Sequence, residues 1–475
     1  MAGSGEMHAP RLAERRTATA DGQQFLDTIV AQATPPGFGA VAVIRLSGPG
    51  ALDIAARLMR REGASMTEWV DRCSRLQHLF RPGTGDVLDR ALVTLFRGPH
   101  SYTGEDVVEC STHGGHAIPR TVVAACVALG AREARAGEFT ERAYLNGRLD
   151  LTQAEAVADL VAARSARGRA VALHQLERGL GARVAALRER VIGLSALLVQ
   201  HIDFPEEDDA PTPLEAIVEE AGAVAGEIGR LLATAPAGEA LREGAVTVLA
   251  GPPNSGKSSL FNALVGMERA IVSDEPGTTR DAIEAVVEVD GFPFRLVDTA
   301  GLRNATGVVE RLGIEVARRF LDGADLVIYC REAGHAATEG ERRFVAGLGA
   351  PVVRVRTKWD VATREEILDD GEVAVSVKTG EGLDMLKNAL LDPVFRGVVE
   401  NRDEVPVVTR RRHADLLASA QEEVTGFRGA LAEGIPPEVA SAHLKSAESA
   451  LEEILGVVAT EDVLDRVFRD FCIGK

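Results

Sequence analysis

One stretch near the middle of the chain constrains its fold more than any other. Residues 251–258 read Gly-Pro-Pro-Asn-Ser-Gly-Lys-Ser, which matches the phosphate-loop pattern G-x-x-x-x-G-K-[ST]. The apolar run Ala245–Ala250 precedes it and the helical run Ser259–Val265 follows it, which is the strand–loop–helix context that the pattern requires. In such a loop the backbone N–H groups surround the phosphates. Lys257 would reach the terminal phosphates, and Ser258 could offer its hydroxyl to Mg²⁺.

Around this loop, short apolar runs alternate with helical stretches, which is typical of a parallel, doubly wound sheet. Helical periodicity flanks the alternating region, from Leu151 to about His201 and from about Pro406 to Phe471. Each flank alone would lack a full core, so we predict one helical domain interrupted by an α/β insertion. Thr152 followed by Glu155 predicts the cap of the first long helix. The expected strands of the insertion are Ala245–Ala250, Phe294–Val297, Leu326–Tyr329, Val352–Val355 and Val373–Val377.

Short apolar runs separated by Gly- and Pro-rich turns between Asp27 and Leu149 predict an α+β domain. The expected fold is therefore multidomain: an α+β N-terminal domain, and an all-α helical domain split by an inserted α/β P-loop domain. The expected limits are 1–24 for a disordered extension, 25–147 for the N-terminal domain, 148–242 and 401–475 for the two parts of the helical domain, and 243–400 for the insertion.

Further motifs follow in an order that resembles a translation-factor-type GTPase domain, so the inserted domain is expected to be an α/β P-loop GTPase domain. Asp298-Thr299-Ala300-Gly301 ends a strand, which would place a carboxylate beside Mg²⁺ and a glycine N–H at a γ-phosphate. The segment 277–281, Gly-Thr-Thr-Arg-Asp, could form a switch loop that adds Thr279 to the metal. Thr357-Lys358-Trp359-Asp360 and Ser376-Val377-Lys378 follow later strands, where an aspartate can accept from the two N–H donors of guanine.

Two positions depart from the common guanine motifs, because Thr357 stands where asparagine is usual and Val377 where alanine is common. We therefore expect guanine selectivity to rest mainly on Asp360, and ATP use remains an alternative. The residues expected to bind the nucleotide and its ions are Asn254, Ser255, Gly256, Lys257, Ser258, Ser259, Ser273, Asp274, Glu275, Pro276, Gly277, Thr278, Thr279, Asp298, Thr299, Ala300, Gly301, Thr357, Lys358, Asp360, Ser376, Val377 and Lys378.

Hydrolysis needs an oriented water and positive charge near the phosphates. Leu302 occupies the place after the Asp298 motif where many GTPases carry a water-orienting glutamine, so another group must hold the water. Glu310 is a candidate, with a solvated helix glutamate as the alternative interpretation. No arginine can be assigned to the phosphates. The amide oxygen of Asn254, with backbone carbonyls near Ser273 and Glu275, could hold a monovalent cation that supplies this charge instead.

Composition constrains how the protein can contact nucleic acid and where in the cell it is expected. The 475 residues carry a net charge of −18, which argues against a protein that grips nucleic acid across its whole surface. A partner or a local patch, such as the Arg-rich helices of residues 164–190, would have to supply that contact. The five cysteines form no Cys-x-x-Cys pair, no apolar run reaches the ~18 residues of a membrane span, and residues 1–24 lack a secretory signal. We expect a cytoplasmic protein.

From about Asp27 to Lys475 the chain resembles the MnmE (TrmE) family of tRNA-modifying GTPases. Besides the GTPase motifs, the segments that carry the resemblance are DTIVAQATPPG (27–37), YTGED (102–106), HGG (113–115), GEFTERA (137–143), LDLTQAEA (149–156) and the terminal FCIGK (471–475).

The resemblance implies a folate-binding N-terminal domain that also makes a homodimer, and potassium-dependent pairing of GTPase domains. It implies a partner, MnmG (GidA), that forms a heterotetramer with the chain. Together they would install an aminomethyl or carboxymethylaminomethyl group at carbon 5 of the wobble uridine of certain tRNAs, with 5-formyltetrahydrofolate or a related tetrahydrofolate as one-carbon donor.

Roles for individual residues follow from the same resemblance. It implies potassium contacts from Asn254, Ser273, Glu275 and Thr278, Mg²⁺ contacts from Ser258 and Thr279, and Glu310 as the water-orienting carboxylate. For folate it implies Arg45, Glu109, Arg148 and Lys475, although Arg148 stands where the family often has lysine. Cys472 is a candidate catalytic thiol, with a buried, inert cysteine as the alternative.

Two other functions stay open at this point. One is a ribosome-assembly GTPase switch of the Era or Der type, although neither an RNA-binding Gly-x-x-Gly module nor a second GTPase domain follows Pro406. The other is a folate-binding scaffold with a vestigial nucleotide site, which would show no GTP turnover.

Overall fold

The computed structural model describes residues 27–60, 69–203, 212–267, 284–298, 318–362, 367–399, 407–469 and 471–475. They form two compact units. One comprises the residues up to Ala158 together with Gly456–Lys475, and the other comprises Asp159–Leu455. Among the helices of these residues, none combines the length and the apolar character that a bilayer crossing requires. The domain limits expected from the sequence stay a prediction.

The elements are numbered here in chain order. The strands are β1 (Ile29–Gln32), β2 (Val41–Ser47), β3 (Arg75–Phe80), β4 (Val87–Phe96), β5 (Val107–His113), β6 (Arg132–Glu133), β7 (Ala245–Ala250), β8 (Glu284–Val289), β9 (Phe292–Asp298), β10 (Leu326–Glu332), β11 (Val352–Thr357) and β12 (Glu372–Ala374). The helices are α1 (Ala51–Leu58), α2 (Ala117–Ala128), α3 (Glu138–Leu145), α4 (Leu151–Ala162), α5 (Ala166–Leu176), α6 (Gly179–Asp203), α7 (Leu214–Leu232), α8 (Ala235–Glu243), α9 (Lys257–Met267), α10 (Glu339–Ala346), α11 (Leu383–Val399), α12 (Arg411–Ala432), α13 (Pro437–Leu455) and α14 (Glu461–Arg469).

The first unit is built on a six-stranded sheet of order β3-β4-β5-β2-β1-β6, in which only the β1–β6 pair is parallel. Alternation along β2 buries Ala42, Ile44 and Leu46 in a core shared with α1 and α2, and it turns Arg45 to the opposite face. Arg45 lies directly across from Glu109 of β5. The pleat therefore places an ion pair on the sheet face away from this core.

The helix α4 begins two residues earlier than the cap expected from Thr152 and Glu155. The carboxylate of Asp150 accepts from the backbone N–H of Gln153 at 2.8 Å, and the side chain of Gln153 accepts from the N–H of Asp150 at 3.1 Å. This reciprocal pair is a capping box that lies two residues before the expected one. Aspartate is a stronger helix cap than threonine, which favours the earlier start. The hydroxyl of Thr152 instead donates to Asp150 at 2.6 Å.

The second unit contains a helical bundle made from two distant parts of the chain. Leu187 and Val191 of α6, Ile228 of α7, Phe427 of α12 and Leu444 of α13 are buried in one shared core. Neither part could bury these side chains by itself, which is the physical reason for the split expected from the sequence. That architecture is confirmed.

The same unit holds a second six-stranded sheet, of order β12-β11-β10-β7-β9-β8. All neighbouring strands are parallel except β8 and β9, which form an antiparallel hairpin at one edge. The strand β8 was not expected from the sequence. Asp290-Gly291 forms its turn, with φ of 50° and 87°, and Asp-Gly between apolar runs is a known hairpin signal. The carboxyl ends of β7, β9, β10 and β11 lie side by side, where ligands bind in such folds.

Candidate active site

A phosphate loop connects β7 to α9. Gly251 has a φ of +141°, and a Cβ at this residue would lie 2.1 Å from the carbonyl oxygen of Cys330. Both the backbone conformation and the lack of space therefore require glycine. Asn254 adopts a left-handed φ of 62°, which asparagine tolerates better than most residues. The path of the loop depends on these two residues.

Lys257, the first residue of α9, points its ammonium group into the loop. Its Nζ donates to the carbonyl oxygen of Pro252 at 2.6 Å and to that of Gly251 at 3.1 Å, and it lies 3.4 Å from Oγ of Ser255. The residue is only 7% exposed. The positive charge is thus held beside the backbone that would surround a phosphate, while Ser258 and Ser259 lie exposed in the first turn of the helix.

Asp298 ends β9 next to the phosphate loop. It pairs in register with Leu249 of β7 and is 5% exposed. Cys330 lies near the end of β10, the strand next to β7, and both charged groups affect the pKa of its thiol. Burial raises the pKa of its thiol to about 12, the charge of Lys257 opposes that rise, and the charge of Asp298 adds to it. An ammonium and a carboxylate therefore converge on the same end of the sheet, as a site for a magnesium-bound triphosphate needs.

The expected base-recognition loops follow β11 and β12. Ser376, which is fully buried, donates from Oγ to Oδ1 of Asp360 at 2.8 Å and accepts from the N–H of Thr379 at 3.2 Å. The N–H of Trp359 bonds the carbonyl oxygen of Val375 at 3.2 Å. These bonds hold the two loops together and fix the orientation of the Asp360 carboxylate.

The two lysines of these loops have different surroundings. Lys358 adopts a left-handed φ of 54°, and its Nζ lies 2.9 Å from the carboxylate of Glu332. The Nζ of Lys378 lies 3.9 Å from Asp360, and its side chain is 83% exposed. Val377 is 36% exposed. Glu332 was missed from the sequence, since nothing in its neighbourhood marks a residue at the end of β10 as the partner of Lys358.

Several expected residues lie outside the described part of the chain. They are the switch residues Ser273, Asp274, Glu275, Pro276, Gly277, Thr278 and Thr279, the motif residues Thr299, Ala300 and Gly301, and Glu310. Of the groups expected to contact Mg²⁺ or potassium, the structure describes Ser258 and Asn254. Within the described ranges no three His, Cys, Asp or Glu side chains gather as a metal-binding cluster.

A second cluster lies in the other unit, around Arg45. Its Nε donates to Oε1 of Glu109 at 2.8 Å, and its NH1 donates to the carbonyl oxygen of Gly474 at 3.3 Å. The guanidinium carbon lies 5.5 Å from the ring centre of Tyr102 and 5.6 Å from that of Phe139. Two of the four residues expected to bind folate therefore touch each other. The aromatic partners were missed because they come from segments far from β2 in sequence.

The last residues of the chain close this cluster. Ile473 pairs with Ala136 in an isolated antiparallel β-bridge. The N–H of Phe139 donates to the carbonyl oxygen of Lys475 at 3.2 Å. Gly474 has a φ of 93°, and a Cβ there would lie 2.5 Å from the carbonyl oxygen of Gln32. The terminal segment is therefore threaded tightly against β1, which brings Lys475 to the same region as Arg45. Cys472 is exposed.

Arg148, the remaining residue expected to bind folate, lies beside the Tyr102 segment. It is exposed, and its Cγ would be 3.3 Å from a Cβ placed on Gly104, two residues after Tyr102. The structure thus brings Arg148 near the Tyr102 segment, whereas it brings Arg45, Glu109 and the chain terminus into direct contact.

A buried ion network supports the Tyr102 segment. Arg142, 1% exposed, donates to Oδ1 of Asp27 at 2.7 Å, to Oε1 of Glu138 at 3.1 Å and to Oε2 of Glu105 at 3.2 Å. Burial would raise the pKa of Glu138, but hydrogen bonds from Arg132 and the Arg135 N–H, with the charges of Arg132 and Arg142, lower it to about 2.

Tyr102 itself is affected by its surroundings. Burial raises the pKa of its phenol, and the hydrogen bond with Thr140 at 2.8 Å and the charge of Arg45 partly oppose that rise. The phenol therefore stays neutral over the physiological range. A neutral ring beside a guanidinium suits a flat, anionic ligand better than a cationic one.

The parallel sheet with its phosphate loop after β7, Asp298 at the end of β9 and the Asp360 and Ser376 loops after β11 and β12 defines a P-loop GTPase. Residues 28–148 match the family model described as GTP-binding protein TrmE N-terminus, and residues 151–472 match the model of the MnmE helical domain. The chain belongs to the MnmE (TrmE) family, as the resemblance predicted, and it is a GTP-hydrolysing enzyme of that family.

Curated relatives match almost from end to end. A protein of Moorella thermoacetica named tRNA modification GTPase MnmE is 41% identical over 461 residues, which cover 94% of this chain and 99% of the relative. The protein of the same name from Desulforamulus reducens is 38% identical over 461 residues with the same coverage, and that of Geobacillus thermodenitrificans is 40% identical over 460 residues, again covering 94% and 99%.

Solved structures match over a smaller part. The G domain of the FeoB iron transporter of Thermotoga maritima is 29% identical, covers 31% of this chain and 96% of that chain, and has a TM-score of 0.24. Era of Aquifex aeolicus bound to GDP and AlF4⁻ is 21% identical, with 37% and 65% coverage and a TM-score of 0.26.

Proposed function

We propose that this chain is a tRNA modification GTPase whose hydrolysis depends on potassium. Working with MnmG (GidA), it installs an aminomethyl or carboxymethylaminomethyl group at carbon 5 of the wobble uridine of certain tRNAs, using a one-carbon unit from 5-formyltetrahydrofolate or a related tetrahydrofolate. The observation that carries the proposal is the convergence of Lys257, Asp298 and the Asp360 loop at one sheet edge in a chain of this family.

Phosphate binding begins with the loop itself. Its backbone N–H groups and the Lys257 ammonium meet the β- and γ-phosphates, and they neutralise negative charge that grows as the terminal bond breaks. Ser258 and Asp298 supply a hydroxyl and a carboxylate, which are the hard oxygen donors that Mg²⁺ prefers. In the proposal, Thr279 completes the metal's protein ligands, and Thr299, Ala300 and Gly301 meet the γ-phosphate.

Potassium would supply the positive charge that an arginine supplies in other GTPases. The proposed contacts are Asn254, Ser273, Glu275 and Thr278. Asn254 supports the assignment because its left-handed backbone sets it on the exposed side of the loop, and an amide oxygen is a suitable donor for a hard cation. Glu310 orients the attacking water.

The N-terminal cluster is proposed to bind the folate. Arg45 and Lys475 offer cationic groups to its carboxylates, and Tyr102 and Phe139 offer ring faces to its flat head group. Glu109 would hold Arg45 in place or accept from the ligand, and Arg148 would act from the Tyr102 segment. Cys472, exposed in the terminal segment, is the proposed catalytic thiol.

The proposed assembly is a homodimer through the N-terminal domain, joined by MnmG in a heterotetramer that acts on tRNA in the cytoplasm. The proposed domains keep the limits 25–147, 148–242 with 401–475, and 243–400.

The hydrolysis proposal is tested by measuring single-turnover GTP cleavage in KCl and in NaCl at equal ionic strength. We expect faster cleavage in KCl, and Glu310→Ala should abolish it while leaving GTP affinity nearly intact. Glu339→Ala is the matched control, since Glu339 is an exposed helix residue whose carboxylate lies 3.2 Å from Arg343 on the same helix. Equal rates in the two salts would reject the cation mechanism, and unchanged turnover in Glu310→Ala would reject the role of that carboxylate.

The tRNA proposal needs a separate readout. In a strain that lacks the gene, the full chain should restore the modified wobble uridine in total tRNA, whereas Cys472→Ser should not. If the full chain hydrolyses GTP but restores no modified uridine, the ribosome-assembly switch is favoured instead.

A further inference from the structure

Thr357 is the position at which this chain departs most from the common guanine motif, and its hydroxyl is already occupied. The residue ends β11, is 2% exposed, and places Oγ1 2.7 Å from the carbonyl oxygen of Ser255 and 3.2 Å from that of Arg331. A threonine hydroxyl carries one proton, and both neighbours are acceptors. Whichever carbonyl receives that proton, no donor remains for a bound base.

Three other polar side chains of the two loops also have partners. Ser376 donates to Asp360 at 2.8 Å, and the ammonium of Lys358 lies 2.9 Å from Glu332. Lys378 lies 3.9 Å from the same Asp360 carboxylate. The carboxylate of Asp360, which Ser376 holds in place, only accepts hydrogen bonds, so these loops offer it to the donor groups of a base.

A guanine base offers two kinds of edge. Its N1–H and N2 amino groups are donors, and its O6 and N7 atoms are acceptors. The Asp360 carboxylate can read the donor edge. The acceptor edge needs N–H donors. The backbone N–H groups of Val377 and Lys378 have no hydrogen-bond acceptor among the described residues, so they could donate to O6. Asparagine, the usual residue at position 357, would add a side-chain N–H donor for N7, whereas the hydroxyl proton of Thr357 is already bonded.

We propose that this enzyme reads guanine through its donor edge and leaves N7 unread, and that Thr357 acts as a positioning residue between the phosphate loop and the base loop. The proposal rests on GTP being the nucleotide, as proposed above. Gly256 supports the positioning role, since a Cβ on it would lie 3.3 Å from Cβ of Thr357. The end of β11 is thus packed directly against the phosphate loop.

The test compares three triphosphates on the full-length, magnesium-loaded protein by titration calorimetry. They are GTP, 7-deaza-GTP, which lacks the N7 acceptor, and inosine triphosphate, which lacks the N2 amino group. We expect GTP and 7-deaza-GTP to bind within twofold of each other. Inosine triphosphate should bind about tenfold or more weakly, because it loses a hydrogen bond to a charged carboxylate.

Variants at position 357 separate base reading from positioning. Thr357→Asn supplies two N–H donors, so one can keep the Ser255 carbonyl while the other reaches N7. It should bind GTP about two- to twelvefold more tightly than 7-deaza-GTP. Thr357→Val removes the hydroxyl and should weaken both nucleotides by the same factor. Thr357→Ser should restore wild-type affinity for both.

The outcomes distinguish this inference from the proposed function. If the wild-type protein binds GTP but prefers it over 7-deaza-GTP by threefold or more, the inference is wrong and the GTPase assignment stands. If Thr357→Val weakens GTP alone, the positioning role is wrong. If no guanine nucleotide binds, the nucleotide assignment itself fails. The wild-type comparison requires no variant to fold.

Discussion

Replacing Arg142 by methionine removes one guanidinium from the middle of the buried network in the N-terminal unit. Methionine is unbranched and fills irregular space, so most of the packing around the side chain stem should be kept. The charge is lost, however, and with it the hydrogen bonds to Asp27, Glu105 and Glu138. Glu138 is 0% exposed and cannot turn to water instead.

The size of the effect follows from what remains. Removing one partner of a buried ion pair typically costs about 3–5 kcal/mol, because the other charge is left buried. Arg132 still lies 2.6 Å from Glu138 and 2.7 Å from Asp27. Asp27 and Glu138 thus keep one cation each, and Glu105 keeps the hydrogen bond from Ser47 at 2.8 Å. We therefore expect the loss in unfolding free energy to lie near the lower end, at about 3 kcal/mol.

Tryptophan fluorescence can follow this unit selectively. The chain has two tryptophans, Trp69 in the N-terminal unit and Trp359 in the other, so Trp359→Phe leaves one reporter that is only 4% exposed. Urea unfolding of Arg142→Met in that background gives the loss. The control is Arg135→Met, whose 45% exposed side chain bonds Glu141 at 3.0 Å and should cost at most about 1 kcal/mol. Equal losses in the two variants would refute the reasoning.

Two further predictions concern acid stability and the phosphate loop. In the folded protein the pKa of Glu138 is lowered from 4.5 to about 2, so its contribution to stability is complete above pH 4.5 and is lost as the pH falls toward 2. In Glu138→Gln, the urea midpoint followed by Trp69 fluorescence should therefore depend less on pH between 4.5 and 2. An unchanged pH dependence in that range would contradict the prediction. Gly251→Ala should weaken binding of Mg²⁺·GTP in calorimetry by more than about tenfold, since its Cβ would lie 2.1 Å from a backbone oxygen. Gly266→Ala, where a Cβ meets nothing within 4 Å, should bind normally.

Local patterns predicted the elements that carry the nucleotide site. The strand expected at Ala245–Ala250 has those limits in the structure. The glycine-rich turn that follows it directly marks its end in the sequence. The β8–β9 hairpin was not predicted, because β8 lies at a sheet edge and its residues are only partly buried.

The residues that contact the site residues could not be predicted from the sequence, for a different reason. Arg45 contacts Gly474 across 429 positions of sequence, and Thr357 contacts Ser255 across 102. Periodicity and motif spacing describe neighbours within a few turns, whereas these contacts are set by how strands are ordered in a sheet. The charge of Arg45 was visible in the sequence, but the aromatic rings and the carbonyl that surround it were not.

Charge pairing also bears on how a chain of net charge −18 meets tRNA. Among the arginines of residues 164–190, Arg183 and Arg190 pair with Glu227, and Arg188 pairs with Glu452 at 2.6 Å. A close pair of opposite charges has little field beyond the Debye length of about 8 Å at physiological salt. These three arginines therefore stabilise the helical bundle and attract phosphate weakly. The positive surface that tRNA requires must then come largely from other residues or from a second protein, which is the role that the proposal gives to MnmG.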